Sequence, residues 1–258
     1  MTDEKTYYAQ VILTVAESKR LIARGVAADA RVKRALDSGW VAVAKGSTNA
    51  YVVEELTGER IDKTKYVTGF TVPAGKKPGT DASLADLVLR RGERVEGLTA
   101  VEAVAKMKAG DVFIKGANAI NYERDQAAIL VGHPQGGTVG ATIGTVVARR
   151  IEWICPAGLE KDVPGDLVAL AAEACEARAE RVGDCPTLWV LPASPFTELD
   201  ALGALVPGLE ISCVLAAGGI RGAEGAVRLL LASSYDRAPL DAALELVASV
   251  QGEPPFGE

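Results

Sequence analysis

The chain has 258 residues, of which 48% are hydrophobic and 24% charged, a balance typical of a globular protein with a substantial core rather than a disordered one. Its formal net charge is −6 at pH 7, and the sequence contains no run of five like charges. A general affinity for nucleic acid is therefore not expected, because proteins that bind phosphate backbones usually carry a basic stripe.

Cysteine usage and hydropathy bear on the location of the protein. The residues from Met1 to Lys5 are mostly polar, and apolar runs such as Val214 to Ala217 are far too short to span a bilayer. The four cysteines lie far apart, so we expect free thiols, a cytoplasmic location and no membrane partner. They are Cys155, Cys175, Cys185 and Cys213. His133 is the single histidine, so neither a metal site nor a cofactor is predicted.

The N-terminal part reads as two helices followed by a buried strand. Thr14 and Glu17 have the spacing of a capping box, which predicts a helix to about Arg24. A second helix is predicted over residues 29–36. Residues 40–44 are mostly apolar and indicate a strand buried on both faces. This strand leads directly into a polar loop and a third helix.

The middle of the chain has a less regular pattern. Residues 66–72 predict a strand, and residues 73–81, rich in proline, glycine and lysine, predict an exposed loop. Residues 87–89 and 94–95 predict a small hairpin. A second capping-box pattern at Thr99 starts a helix that is expected to reach Lys108.

From residue 111 onward, predicted strands alternate with predicted helices. The strands are 111–114, 127–131, 151–154, 188–191 and 211–216. The helices are 138–149, 166–181, 197–205, 223–231 and 240–250. This alternation favours an α/β fold of three layers, with a mostly parallel, doubly wound sheet between helices on both faces.

A change in composition suggests two parts, since Lys161 is the one lysine after Lys115. We predict a main α/β domain at residues 1–183 and a C-terminal α/β extension or sub-domain at residues 184–258. A single domain is the alternative. A homodimer is the expected assembly for such a sheet.

The first strand-to-helix loop, Lys45-Gly46-Ser47-Thr48-Asn49, is the strongest candidate for a binding site. Ligands of doubly wound sheets bind where such loops converge at the carboxyl ends of the strands. Glycine allows a close approach of the backbone. The hydroxyls of Ser47 and Thr48 and the amides of the helix start can donate to an anion, with Lys45 adding positive charge. The alternative is a simple helix cap.

The second loop follows the predicted strand at 111–114 and contains Lys115, Gly116 and Asn118. If this strand neighbours the first, Lys45 and Lys115 would approach each other. Two like charges would strengthen the attraction for an anion and depress the proton affinity of a lysine. Two independent surface lysines are the alternative.

The third loop runs from Gly132 into a helix. Gly136, Gly137 and Thr138 are predicted to cradle a phosphate. His133 is a candidate general base, because imidazole titrates near neutrality. A purely structural histidine in a turn beside a proline is the alternative.

Three further features are weaker indications. Residues 155–162 offer a thiol, a carboxylate and an amine after a strand, and Arg221 follows the last predicted strand and could face a phosphate. Solvated turns are the favoured interpretation of both segments. Gly140 and Gly144 are predicted to let their helix pack closely on the sheet.

At the first two loops the chain resembles the superfamily of ribose-5-phosphate isomerase, glucosamine-6-phosphate deaminase and the coenzyme A transferases. Residues 41–51 (VAVAKGSTNAY) are similar in layout to the strand, turn and helix of that superfamily. Residues 111–118 (DVFIKGAN) resemble its later strand that ends in Gly-Ala-Asp. The resemblance covers roughly residues 40–160. It implies a three-layer fold that binds a sugar phosphate, a nucleotide or coenzyme A.

The resemblance also implies a limit on the chemistry. Asn118 stands where the isomerases carry an aspartate, and an amide cannot act as a general base. Binding is therefore implied more strongly than isomerisation.

Three hypotheses for function follow from these residues. In the first, the chain is an enzyme that acts on a phosphorylated or otherwise anionic metabolite, with Lys115, Asn118 and His133 near the reacting atom. In the second, it is a ligand-binding or regulatory protein that uses the same loops without catalysis. A structural assembly subunit is the third, and it predicts an exposed apolar patch without a pocket.

One observation would distinguish the first two hypotheses. A carboxylate or amine of perturbed pKa within reach of Ser47 would favour an enzyme. The candidate carboxylates are Glu123, Asp125 and Glu160.

Overall fold

A computed structural model describes residues 5–73, 75–76, 82–183 and 185–257. The strands are β1 (Thr6–Leu13), β2 (Trp40–Val43), β3 (Leu87–Arg90), β4 (Glu93–Arg94), β5 (Val112–Ile114), β6 (Ala119–Asn121), β7 (Gln126–Val131), β8 (Glu152–Pro156), β9 (Thr187–Val190), β10 (Pro195–Phe196), β11 (Glu210–Gly218) and β12 (Ala226–Ser234). The helices are α1 (Val15–Ala28), α2 (Ala30–Ser38), α3 (Ser47–Thr57), α4 (Ala100–Val104), α5 (Gly137–Arg149), α6 (Leu167–Ala174), α7 (Glu198–Leu205) and α8 (Ala238–Ala248). Short 3-10 turns lie at Lys63–Tyr66 and Leu159–Lys161. Most of the loop predicted at 73–81 lies outside the described residues.

The strands form three sheets. The central sheet has the order β10-β8-β5-β2-β3-β4. Its strands β10, β8, β5 and β2 are parallel, whereas β3 and β4 continue it as an antiparallel hairpin. The other two sheets, β1-β12-β11 and β6-β7-β9, are antiparallel. The α/β class is confirmed, but the prediction of one mostly parallel sheet is not, because most neighbouring strands run antiparallel.

Helices lie against the central sheet in two groups. Helix α1 packs against α3 and α7 and also contacts β8, whereas α4 packs against α5 and contacts β2. Both predicted capping boxes form: Thr14 and Glu17 exchange hydrogen bonds at the start of α1, and Thr99 and Glu102 do so at α4. In each case side chains satisfy amide groups that the first helical turn leaves without partners.

Two predictions about the ends of the chain were wrong. The N-terminal part was predicted to begin with helices, but residues 6–13 form β1, and the helix predicted at 223–231 is the strand β12. The two strands pair with each other, with Leu13 opposite Val227 and Thr6 opposite Ser234. A short apolar run is compatible with either structure, and here the pairing of two distant segments decides between them.

Three further elements differ from expectation. The predicted strand at 66–72 is irregular after the 3-10 turn, and helix α6 ends at Ala174 instead of 181. Strand β6 was not predicted. The boundary at 183/184 stays a prediction, although strands on either side of it pair directly, β1 with β12 and β7 with β9. Among the described residues, no helix is both long enough and apolar enough to cross a membrane.

Candidate functional site

The loops after β2, β5 and β8 leave the same edge of the central sheet. These strands are parallel neighbours, with Val43 aligned to Ile114 and Ile114 to Ile154. Asn49 ties the first two strand ends together, since its Nδ2 donates to the carbonyls of Ala44 at 2.7 Å and Ile114 at 3.3 Å. The first two candidate loops therefore meet, as their positions after parallel strands predicted.

A cavity of about 260 Å³ lies at this edge, and we call it the strand-end cavity. It is lined by residues 46–49, 67–71 and 115–118, Pro156 and Lys161. A second cavity of about 570 Å³, the outer cavity, is lined by residues of β7 and of the loop that enters α5. Thr68, Gly69, Lys115 and Asn118 line both cavities.

The start of α3 presents polar groups to the strand-end cavity. Gly46 precedes the helix, and none of the described side chains makes a capping hydrogen bond there, so Ser47 and Thr48 do not serve as its cap. Thr48 is 2% exposed, and its Oγ1 has no hydrogen-bond partner in the part of the chain that the structure describes. A buried hydroxyl normally has a partner, and a bound ligand would supply one.

Lys115 and Lys161 give this cavity its positive charge. The Lys115 ammonium donates to the carbonyl of Lys45 at 3.0 Å, and the Lys161 ammonium donates to the carbonyl of Ala117 at 3.0 Å. Burial, and next the charge of Lys161, lower the pKa of Lys115 to about 8. The charge of Asp86 acts in the opposite direction and is a smaller influence.

The backbone at Lys115 and Gly116 is held closely by β8. The Trp153 indole donates to the carbonyl of Lys115 at 3.0 Å. A Cβ on Gly116 would stand 2.6 Å from the carbonyl oxygen of Pro156, so this position accepts glycine but no larger residue without a backbone shift. The sequence therefore requires glycine here for packing as well as for access to the cavity.

Lys45 is placed differently from the prediction. Its ammonium donates to the carbonyl of Ala82 at 2.6 Å, and the residue lines a third cavity together with Asp86, Thr99 and Thr138. The cation that influences Lys115 is Lys161, which the sequence indicated only weakly.

Asn118 lines both main cavities, but its side chain is hydrogen-bonded to the backbone of two neighbouring segments. Its Nδ2 donates to the carbonyl of Gly69 at 3.1 Å, and its Oδ1 accepts from the amide of Leu130 at 3.0 Å. It thus connects the 67–71 segment to β7. These two hydrogen bonds fit a role in positioning the cavity walls better than the catalytic role predicted for Asn118.

The third loop forms a wall of the outer cavity and not of the strand-end cavity. His133, Gly136, Gly137 and Thr138 all lie there. His133 is exposed, and its Nδ1 accepts from the amide of Gln135 at 3.1 Å. This bond is typical of a turn, which was the structural alternative for the histidine.

The candidate carboxylates do not line the strand-end cavity. Glu123 and Asp125 are exposed, and Asp125 accepts a hydrogen bond from Ser194 at 2.8 Å. Glu160 instead lies beside Glu198. One oxygen from each carboxylate stands within 3.0 Å of the position that a Cβ on Gly158 would take. Burial, and then the charge of Glu160, raise the pKa of Glu198 to about 7. Sequence reasoning missed Glu198, because it belongs to an ordinary helix start.

The remaining candidate groups offer little for catalysis or for ligand binding. Burial raises the pKa of Cys155 to about 12, so its thiol stays protonated and weakly nucleophilic. A cavity of about 480 Å³ lies near β8 and β10, but its lining mixes both signs of charge, including Arg31 and Asp200. In the described ranges, no group of three His, Cys, Asp or Glu side chains could hold a metal ion.

The 67–71 segment, predicted as part of a strand, closes one side of the strand-end cavity, a role that sequence reasoning did not foresee. It anchors beside β2 through Tyr66, whose hydroxyl donates to the carbonyl of Val43 at 2.6 Å and accepts from the amide of Leu87 at 2.9 Å. The pattern of this segment indicated a strand, and the sequence held no signal for the tertiary contacts that place it beside the cavity.

Comparison of the chain with known protein families, with curated proteins and with solved structures gave no match in any of the three. The resemblance to the isomerase, deaminase and transferase superfamily therefore stays a prediction. The evidence on function comes instead from the geometry of the strand-end cavity.

Proposed function

We propose that the strand-end cavity binds the phosphate or carboxylate group of a small anionic metabolite. The observation that carries this proposal is the charge of the cavity. Lys115 and Lys161 both line it, and none of the described residues around it is acidic. An anion in this place would neutralise two ammonium groups whose positions are already fixed by backbone carbonyls.

The start of α3 supports the same assignment. The first amides of a helix have no partner within the helix, and its dipole favours negative charge at this end. The hydroxyl of Thr48 adds a buried donor without a partner among the described residues. Two lysines, a helix start and a hydroxyl are together a more specific arrangement than a helix start alone.

The size of the two cavities suggests how the metabolite lies. The strand-end cavity, at about 260 Å³, is smaller than the roughly 300–1,000 Å³ of most ligand pockets, so we expect it to take the anionic end of the metabolite and not the whole molecule. The rest of the molecule would extend past Lys115 into the outer cavity, where Ile129, Leu130 and Val131 provide apolar contacts. Sugar phosphates, nucleotides and coenzyme A esters all have this division into an anionic end and a larger body.

An enzyme is favoured over a non-catalytic binding protein. Lys115 is an amine of perturbed pKa in the cavity that Ser47 also lines, and perturbed titratable groups concentrate at active sites. A structural subunit is disfavoured, because that role predicted no pocket.

The finer fold and the assembly are also proposals. We infer a three-layer, doubly wound core from the four parallel strands and from the two groups of helices, α1 with α3 and α7 and α4 with α5. The homodimer and the cytoplasmic location stay predictions.

Thermal unfolding with candidate ligands tests the binding proposal. Inorganic phosphate, sulfate, sugar phosphates, nucleotides and coenzyme A esters should be screened for a rise in Tm. A ligand at a hundredfold excess over its Kd stabilises the native state by about 2.7 kcal/mol. Lys161→Met and Thr48→Val should reduce the rise, whereas Lys106→Met, at an exposed lysine that lines neither cavity, should leave it unchanged.

Two outcomes would contradict the proposal. One is that no anion raises the Tm of the wild-type protein at millimolar concentration. The other is that Lys161→Met and Thr48→Val respond to each effective anion as the wild type does.

A further inference from the structure

We propose that the amine of Lys115 forms an imine with the carbonyl carbon of a phosphorylated or carboxylated aldehyde or ketone. This inference rests on the proposed function, since it requires the anionic group of that molecule to lie in the strand-end cavity. It adds the identity of the reacting residue and the class of the substrate.

The position of Lys115 is the first reason. It lines both the strand-end cavity and the outer cavity, so it stands where the anionic end of a ligand meets the body of the ligand. Thr48 lines the strand-end cavity alone, and Val131 the outer cavity alone. A carbonyl group a few bonds from the anionic group would therefore lie beside the Lys115 amine.

The environment of Lys115 is the second reason. Within the described ranges, Lys115 makes no ion pair with a carboxylate, and the hydrogen bond to the carbonyl of Lys45 holds the side chain in place. Burial and the neighbouring Lys161 lower its pKa to about 8. A sizeable fraction of the amine is therefore neutral near physiological pH, as a nucleophilic lysine requires.

The groups that face Lys115 from neighbouring elements do not reverse this effect. Asp86 favours the protonated amine, but its influence is smaller than that of burial and of Lys161. Burial keeps Cys155 itself protonated.

The step is balanced without any oxidant or metal. The neutral amine attacks the carbonyl carbon, so that a C–N bond forms and the carbonyl oxygen becomes a hydroxyl. Loss of that hydroxyl with the remaining amine hydrogen releases one water and leaves the C=N bond. Uptake of a proton by the imine then makes it a strong electron acceptor for the adjacent carbon.

Reductive labelling with pyridoxal 5′-phosphate tests the inference, because this probe is an aldehyde that carries a phosphate. The protein is incubated with the probe near pH 7.5, treated with sodium borohydride and mapped by peptide mass spectrometry. Lys115 should be labelled roughly tenfold or more faster than Lys106, since each pKa unit changes the neutral fraction about tenfold. Inorganic phosphate should slow the labelling of Lys115, and pyridoxal without its phosphate should label it more slowly.

Two variants complete the experiment. Lys115→Arg keeps the positive charge and should abolish labelling in the cavity while it retains a phosphate-dependent rise in Tm. Lys106→Arg is the matched control and should keep the labelling of Lys115. Circular dichroism of both variants would establish that they are folded.

The outcomes separate this inference from the proposed function. If phosphate raises the Tm through Thr48 and Lys161 but Lys115 is labelled no faster than Lys106, the imine inference is overturned and the binding proposal stands. If Lys115 is labelled rapidly but phosphate neither protects it nor raises the Tm, the binding proposal is wrong, and with it the assigned substrate class.

Discussion

Arg20 on α1 and Glu54 on α3 form an ion pair in which both side chains are only 3% exposed. The same guanidinium pairs with Glu253 of the C-terminal segment at 2.8 Å and with Glu55 at 2.9 Å. Arg20 therefore joins three parts of the chain that are far apart in sequence. Because α3 begins in the strand-end cavity, this network holds the helix whose first residues line that cavity.

Replacement of Arg20 by methionine should destabilise the protein strongly. It would leave the carboxylates of Glu54 and Glu253 buried without their main partner, and removal of one member of a buried pair costs about 3–5 kcal/mol. Arg60 and Lys63 also contact Glu54 and would soften the effect. Urea unfolding would measure the change in the free energy of unfolding.

Arg24→Met on the same helix is the control. Arg24 is partly exposed, and its nearest carboxylate, Glu55, is 3.9 Å away. The expected loss is below about 1 kcal/mol, as for an exposed pair. Equal losses in the two variants would refute the role assigned to Arg20.

Acid should remove the stabilisation that this network provides. Burial alone would raise the pKa of Glu54, but hydrogen bonds from Arg20 and from the amide of Ile61 hold it below the ordinary 4.5. Burial would also raise the pKa of Glu253, but the hydrogen bond and the charge of Arg20 lower it. The stabilisation is therefore fully present above pH 4.5 and is lost as the pH falls through the lower folded-state values. Between pH 5 and pH 2, the free energy of unfolding should fall less steeply in Arg20→Met than in the wild type.

The local parts of the site could be predicted from the sequence. An apolar run followed by Gly46 and a helical pattern defined β2, its loop and α3, and a similar pattern marked the loop at Lys115. Their approach followed from one further assumption, that the two strands are parallel neighbours, and Val43 and Ile114 do align. In an α/β fold, sequence patterns best predict which polar loops meet at the ends of adjacent parallel strands.

Long-range contacts set the limit of that prediction. Strands β1 and β12 pair across more than two hundred residues, and neither segment has a pattern that separates strand from helix. The direction of Lys45 depends on the carbonyl of Ala82, and the position of the 67–71 segment depends on the hydroxyl of Tyr66. Such partners are known only once the chain is folded.

The pH dependence of stability near neutrality should come from Glu198. Its pKa is raised to about 7, mainly by burial and then by the charge of Glu160, so the folded state holds a proton that the unfolded state releases near 4.5. The contribution of Glu198 to the free energy of unfolding is therefore largest below pH 4.5 and is lost as the pH rises towards 7. Glu198→Gln keeps an oxygen to accept from Leu159 and should remove this loss.

The measurement is Tm against pH from 5 to 8 for the wild type and Glu198→Gln. The variant should have the flatter profile and the higher Tm at pH 8. Parallel profiles would show that Glu198 does not titrate in this range.

Sulfate binding should weaken as the pH rises through 8. Burial and the charge of Lys161 lower the pKa of Lys115 to about 8. The cavity therefore loses one positive charge as the pH rises through 8, while sulfate keeps its charge. Calorimetric titration between pH 6.5 and 9.5 should give a Kd that increases above pH 8 in the wild type. Lys115→Arg should bind with little dependence on pH, because arginine stays charged, and a wild-type Kd that is constant across this range would contradict the assignment.

Two glycines of α5 should respond in opposite directions to alanine. A Cβ on Gly140 would stand 2.0 Å from the carbonyl oxygen of Gln135, whereas a Cβ on Gly144 would meet no atom within 4 Å. The prediction that both glycines allow close packing on the sheet is thus wrong, because Gly140 meets the turn before α5 and Gly144 is exposed. Gly144→Ala should stabilise the protein by roughly 0.5–1 kcal/mol through helix propensity.

Gly140→Ala should instead destabilise the protein by about 1–3 kcal/mol, because the turn before α5 must move to accept the methyl group. That turn includes His133 and Gly136 and forms a wall of the outer cavity. The variant should therefore also weaken ligands that extend past Lys115, while inorganic phosphate, which needs only the strand-end cavity, should bind as before. If Gly140→Ala and Gly144→Ala have the same free energy of unfolding, the contact between Gly140 and Gln135 is not what fixes the turn.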